Sequence, residues 1–262
     1  MTDIQELEQF VLDCHEALLK HDNEETNKAW EYLLGQRHWS LRTLKAHKIG
    51  YCKSSVRLPD GVRFYGRDPD KRSGDGYFKY LLGRITVPVY AEFGNIVGMA
   101  TRGPVPGKSA HWWNLPRPFY KGNHLFLLDK ARQNMFDSDK AYVVEGYADA
   151  LMLYQTGLKN VCALMGTKLT LRKLALLSRY CGKICLCLDV DENKAGQKAT
   201  DDIVATLYRF NMCDGLSIID GLPLGADPDE FVMRNGIEKF LELERPLAEE
   251  EIEEMCRRSH AA

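Results

Sequence analysis

Apolar and polar positions follow three different rhythms along the chain. From Asp3 to Lys20, Ile4, Leu7, Phe10, Val11, Cys14 and Leu18 recur every three or four residues, which predicts an amphipathic helix with one buried stripe. A second helix is expected from Glu24 to Leu34, stopped by Gly35, and a short third that Ser40 caps and that ends before Gly50. From Pro59 to Gly83 apolar residues are few among Gly, Asp, Lys and Arg, so this stretch reads as a connection around a short element from Tyr77 to Leu82. Arg84–Tyr90 and Ile96–Arg102, separated by turn residues at 92–95, read as the two strands of a hairpin.

Beyond residue 140 the rhythm changes again. Ala141–Val144, Val161–Met165 and Lys183–Leu188 are short apolar runs without alternation, the pattern of strands covered on both faces. Helical spacing fills the intervals, from Asp149 to Gly157 and from Thr170 to Tyr180. A helix over Ala195–Asn211, a strand over Leu216–Asp220 and a helix over Asp229–Glu244, interrupted near Asn235–Gly236, complete an α/β pattern with a parallel, Rossmann-like sheet. The tail from 249 to 262 turns from acidic to basic and carries no sign of a further domain.

Ligands of such sheets bind at the carboxyl ends of the strands, where Glu145, Asp189 and Asp191 fall. Asp149 follows Glu145 by four residues and shares its face if a helix starts after Gly146. Asp189 and Asp191, two apart, point the same way on extended backbone. Asp227 and Asp229 follow the next strand. One acid at a strand end reads as a solvated terminus, but six converging carboxylates are costly to desolvate without a cation. Oxygen donors alone suit Mg2+ or Mn2+. The eight cysteines form no Cys-x-x-Cys pair and read as buried free thiols, so zinc is not expected.

Charge divides the 262 residues unevenly. The chain carries 35 Lys plus Arg and 37 Asp plus Glu, a net of −2. Of these, 17 and 6 lie between Arg37 and Lys130, a net of +11, leaving 18 and 31, a net of −13. Such a split suggests a nucleic-acid face on the first half. Gly103-Pro-Val-Pro-Gly-Lys-Ser109 imitates a phosphate loop, but three residues rather than four separate its glycines and no helix can follow, so it reads as a basic loop. Lys108, Trp112, Trp113 and Arg117 suit contact with a single strand, and packing of both tryptophans beneath the loop is an equal reading. Trp30 and Trp39 read as core. With no signal segment and no apolar stretch near 18 residues, neither export nor membrane insertion is expected.

Val144-Glu-Gly-Tyr-Ala-Asp-Ala150, Leu164-Met-Gly-Thr167, Leu188-Asp-Val-Asp-Glu-Asn-Lys-Ala-Gly-Gln-Lys-Ala199 and Gly225-Ala-Asp-Pro-Asp-Glu-Phe231 resemble, in order and spacing, the motifs of the TOPRIM domain of DnaG-type bacterial and phage primases. Residues 29–51 and the hairpin resemble the polymerase region of that family. The resemblance implies a mixed α/β polymerase subdomain with a basic template-binding face over 1–138, a TOPRIM catalytic subdomain over 139–244 and a helical tail over 245–262. It implies a nucleotidyltransferase that makes short RNA primers on single-stranded DNA from nucleoside triphosphates by two-metal chemistry. Glu145, Asp189 and Asp191 would be catalytic. All six acids would form the metal basin, and Arg84, Arg102 and Lys121 would hold template or nucleotide phosphates. Lys194 and Lys198 flank the acid pair, and contact with the triphosphate or plain solvation both fit them. The family's zinc-ribbon and helicase-binding parts have no counterpart here. The expectation is either a compact phage or plasmid primase, served in the host cytoplasm by a replicative helicase or a separate zinc-domain protein, or an excised core. The motif from Asp191 is two residues longer than the tightest form in the family. A TOPRIM nuclease and a template-binding replisome subunit are the competing readings.

Overall fold

The computed structural model describes residues 3–56, 81–103, 112–114, 119–189 and 195–261. The chain divides into two compact units, Met1–Tyr120 and Lys121–Ala262. The division expected from sequence lay later, after residue 138.

In the first unit, α1 (Asp3–Lys20) presents Phe10, Cys14 and Leu18 to the core. After Asn23, whose side chain caps α2 (Glu24–Trp30), the chain passes into a π-helical turn, Glu31–Gln36. Gly35 therefore does not end the helix as expected: it lies inside the π turn, which closes when the Arg37 N–H reaches the Tyr32 carbonyl at 2.9 Å. Ser40 caps α3 (Leu41–Ala46), accepting the Thr43 N–H at 3.1 Å. A four-stranded antiparallel sheet follows in the order β1 (Gly50–Cys52), β2 (Arg84–Tyr90), β3 (Ile96–Arg102), β4 (Trp113–Asn114). The hairpin has the expected bounds. β1 pairs with β2 only as far as Thr86, so Pro88, which lacks an N–H, sits where that side of β2 is already an edge. The element expected at Tyr77–Leu82 lies almost wholly outside the described residues.

The second unit is an α/β sheet. A short 3-10 turn, Lys121–Asn123, leads to α4 (Leu128–Ser138), then β5 (Lys140–Val144), α5 (Tyr147–Gln155), β6 (Val161–Ala163), α6 (Leu171–Leu177) and β7 (Lys183–Cys187). It continues through α7 (Ala195–Arg209), β8 (Ser217–Ile219), α8 (Pro228–Asn235), α9 (Ile237–Leu241), β9 (Glu244–Pro246) and α10 (Glu249–Ala261). The sheet order is β6-β5-β7-β8-β9, with the first four strands parallel and β9 antiparallel. Consecutive residues of β5 and β7 are buried, so both faces of the sheet are covered, as unalternating Val, Ile, Leu and Cys require. α8 and α9 break at Gly236, whose φ of +88° the expected interruption anticipated. The chain then enters β9, which the helical reading to Glu244 had missed.

All eight cysteines are free thiols, six of them buried. Among the described residues no helix is long and apolar enough to cross a membrane.

A candidate metal and nucleotide centre

β5 is flanked by β6 and β7, so the chain moves outward to β6 and then crosses back over β5 to β7. That reversal is the switch point at which a parallel sheet opens a crevice at its carboxyl edge. Glu145 follows β5 directly and Asp189 lies two residues beyond β7.

Asp149 is the hub of the acid set. It sits in the first turn of α5, 5% exposed, and its Oδ2 accepts the Gly146 N–H at 3.1 Å, satisfying a helix-start donor. Its Oδ1 accepts the Asp229 N–H at 3.3 Å, in the first turn of α8, so one carboxylate ties two helix starts together. A Cβ at Gly146 would lie 2.6 Å from Asp149 Oδ2, so any larger residue there has to displace that carboxylate. Burial pushes the Asp149 carboxyl well above the usual carboxylate range, reinforced by Asp229, Asp189 and Asp227. Those three carboxylates thus lie near enough to Asp149 to act on its charge, and Asp229 is in direct contact with it. Asp229 is 4% exposed, Pro228 opens α8 and Asp227 is its N-cap residue. Asp189 is half-buried, with Oδ1 shielded from solvent.

Mutual repulsion in a buried, oxygen-only set is the condition a hard divalent cation relieves, and the residues fit magnesium or manganese in that respect. Among the described residues no three His, Cys, Asp or Glu side chains are already close enough to cage an ion. Magnesium does not need such a cage, because it binds through one or two carboxylates plus water and substrate phosphate. Asp191 and Lys194 lie outside the described residues. Lys198 is exposed on α7.

Lys121 is exposed in the 3-10 turn, and its Nζ would lie 3.1 Å from a Cβ on Gly166 in the loop after β6. Gly166 has a φ of +143°, which by itself selects glycine, and its N–H donates to the Glu145 carbonyl at 3.2 Å. Within the second unit, Lys121 and Glu145 thus meet the same glycine.

In the first unit Arg84 is 5% exposed and donates Nε to Thr101 Oγ1 at 3.0 Å and Nη2 to the Thr101 carbonyl at 3.1 Å, so it is anchored inside the sheet. Arg102, at the end of β3, lies between two rings, its guanidinium carbon 5.7 Å from the centroids of both Tyr32 and Trp112. The π turn that sequence periodicity did not reveal is what supplies Tyr32. Trp39 is core at 2% exposure, whereas Trp30 is half-buried and donates Nε1 to the Leu18 carbonyl at 2.6 Å. Lys108 and Arg117 lie outside the described residues, as does the side chain of Trp113.

The family model described as Toprim-like matches residues 142–232, the segment that carries this acid-lined switch point. A DNA primase of Synechococcus elongatus is 30% identical over 230 residues, covering 82% of this chain and 33% of that protein. The Aquifex aeolicus primase structure, containing zinc-binding and RNA polymerase domains, matches at a TM-score of 0.74 and 28% identity, over 97% of this chain and 65% of that one. A DnaG primase catalytic domain bound to single-stranded DNA matches at 0.69 and 26% identity, over 91% and 80% of the two chains. The chain belongs with the DnaG-type primases and corresponds to their catalytic core. It spans about a third of the length of the DNA primases it matches.

Proposed function

We propose that this chain synthesises short RNA primers on single-stranded DNA for replication, as a primase catalytic core. What supports this reading is the buried Asp149, which joins the starts of α5 and α8 beside the switch point and feels Asp189, Asp227 and Asp229, within the segment that matches the Toprim-like model, in a chain similar to DNA primases over most of its length. Residues 1–138 would form the polymerase subdomain with the template face, 139–244 the catalytic subdomain and 245–262 a helical tail.

Glu145 would sit nearest the reacting centre, as metal ligand or proton acceptor. Asp189 and Asp191 would hold magnesium or manganese, with Asp149, Asp227 and Asp229 completing the basin. When bound, the two metal ions lower the pKa of the attacking 3' hydroxyl and neutralise the pyrophosphate leaving group. The protein's own part is orientation. Asp149 fixes the starts of α5 and α8 relative to each other, and the Gly166 N–H holds the chain at Glu145. Arg102, Lys108 and Lys121 would take template or nucleotide phosphates, with Lys194 and Lys198 beside the triphosphate and Arg84 acting from within the sheet next to Arg102. The resemblance also supports a replicative helicase or a separate zinc-domain protein as partner, and a phage or plasmid replicon acting in the bacterial cytoplasm as its setting.

Primer synthesis on mixed single-stranded templates, with labelled nucleoside triphosphates and magnesium or manganese, tests the reading beside Asp189→Ala. The expected outcome is short RNA products, reduced about a hundredfold or more in the variant, equivalent to about 3 kcal/mol in the barrier, with template binding retained. Cleaved template without triphosphates would replace the primase reading with a nuclease one. Undiminished synthesis by the variant would remove the acid assignment.

A further inference from the structure

Lys173, in α6, is 3% exposed. An ammonium so deeply buried needs acceptors, and it has two: Nζ donates to the carbonyl of Leu164 and, at 3.3 Å, to that of Lys168. These carbonyls bracket the loop after β6, so one side chain closes it at both ends. The loop is not one that the backbone adopts easily, because Met165 takes a φ of +59° and Gly166 a φ of +143°. Two residues assigned to the reaction meet it at Gly166, Glu145 through its backbone carbonyl, which accepts the Gly166 N–H at 3.2 Å, and Lys121 through its ammonium, which a Cβ on Gly166 would meet at 3.1 Å. The turn bearing Lys121 is tied to α6 as well, since Thr170, the cap of that helix, donates Oγ1 to the Gly122 carbonyl at 2.5 Å. α6 therefore holds the loop with one residue and the Lys121 turn with another.

Resting on the roles given above to Glu145 and Lys121, we propose that Lys173 is a positioning residue for nucleotidyl transfer: it clamps the Leu164–Lys168 loop so that Glu145 and Lys121 are held in register across Gly166. It touches no substrate and acts through the loop. Like charge is part of the arrangement, because burial first and the neighbouring Lys121 second push the Lys173 ammonium down to about 8. A cation is retained in an unfavourable place where a leucine would pack at no electrostatic cost, and what the cation does there is hold two carbonyls.

Lys173→Met keeps an unbranched side chain that reaches as far as Cε and removes the donor, whereas Lys173→Gln is of similar reach and keeps an N–H donor. With the full chain and the primer-synthesis assay, Lys173→Met is expected to melt close to wild type while kcat falls about tenfold or more and KM for the nucleoside triphosphate rises. Lys173→Gln should recover part of the loss. Combined with Lys121→Ala, Lys173→Met should cost less than the product of the two single effects, because both act through one loop. Kinetic constants within twofold of wild type, or a loss matching only the unfolded fraction, would overturn the proposal. Amide hydrogen exchange without template or nucleotide decides independently: faster exchange at Gly166 and in 142–146 in Lys173→Met supports the clamp, and unchanged exchange there overturns it. If wild type makes no primer at all, the primase reading fails and the exchange result still judges the clamp.

Discussion

Gly146 shows how little room the acid centre leaves. A methyl group there would stand 2.6 Å from Asp149 Oδ2, so Gly146→Ala displaces the carboxylate that joins α5 to α8. The expected outcome is a fall in primer synthesis of about tenfold or more, with a stability loss of about 1–2 kcal/mol from the disrupted helix start, read by steady-state kinetics and urea unfolding. Lys173 gives a pH dependence whose sign follows from its depressed value. It titrates near 8 when folded and near the usual lysine value, 10.5, when unfolded, so across that interval the unfolded chain binds the extra proton. Its penalty on folding is therefore greatest below about 8 and fades as pH rises towards 10.5. Cys14, Cys162, Cys181, Cys187, Tyr51, Tyr142 and Tyr147, all raised above their ordinary values by burial, act in the opposite sense. The quantity to measure is therefore the stability of wild type minus that of Lys173→Met by urea unfolding, which should rise between pH 7.5 and pH 10. Sequence periodicity made the acids legible because their strands are continuous apolar runs. It left Lys173 hidden, because a lysine in an eleven-residue helical stretch reads as surface charge until the fold buries it.

Among the elements that periodicity did not reveal, which include α4, β1 and β4 as well, β9 is the one whose chemistry explains the omission. Glu244 looks like the polar end of a helix, yet its carboxylate accepts Lys140 Nζ at 2.5 Å, Tyr142 OH at 2.8 Å and Ser217 Oγ at 2.5 Å. Residues from β5 and β8, distant in sequence, thus fix a strand that local propensity does not specify. Burial raises the Glu244 carboxyl, and the hydrogen bonds from Lys140, Ser217 and Tyr142 outweigh that and hold it below its ordinary value. Its stabilisation is therefore present above about pH 4.5 and is lost as pH falls through the lower folded value. Glu244→Ala is expected to destabilise the protein by about 2 kcal/mol at neutral pH and to make its acid unfolding less steep, as followed by circular dichroism. α10 is likewise fixed by a remote partner: Arg258 pairs with Asp201 of α7 through Nη2 at 2.7 Å and Nε at 2.8 Å, while Ile252 and Met255 join the core around β7. The expected tail began at residue 245, inside β9, and only the core shows what α10 covers.

For the molecule as a whole, the charge split of +11 against −13 separates a segment suited to a polyanion from the acid-bearing remainder. Binding of single-stranded DNA is expected to weaken about ten- to fiftyfold between 50 and 200 mM monovalent salt for three or four phosphate contacts, as fluorescence anisotropy would read. Adding magnesium or manganese should raise the melting temperature of wild type more than that of Asp189→Ala, because a ligand of the folded state stabilises it by mass action.

By itself the sequence determined the α/β class, the parallel strands, the hairpin and the position of the acids, because each is written in local spacing: unalternating apolar runs, turn residues, carboxylates at strand ends. Tertiary structure decided the rest. The π turn that brings Tyr32 to Arg102, the hydrogen bond from Gly166 to Glu145 and the pinning of β9 by Glu244 all join residues far apart in the chain. No local pattern encodes such contacts, since each depends on the closure of long loops that only the packed core makes favourable.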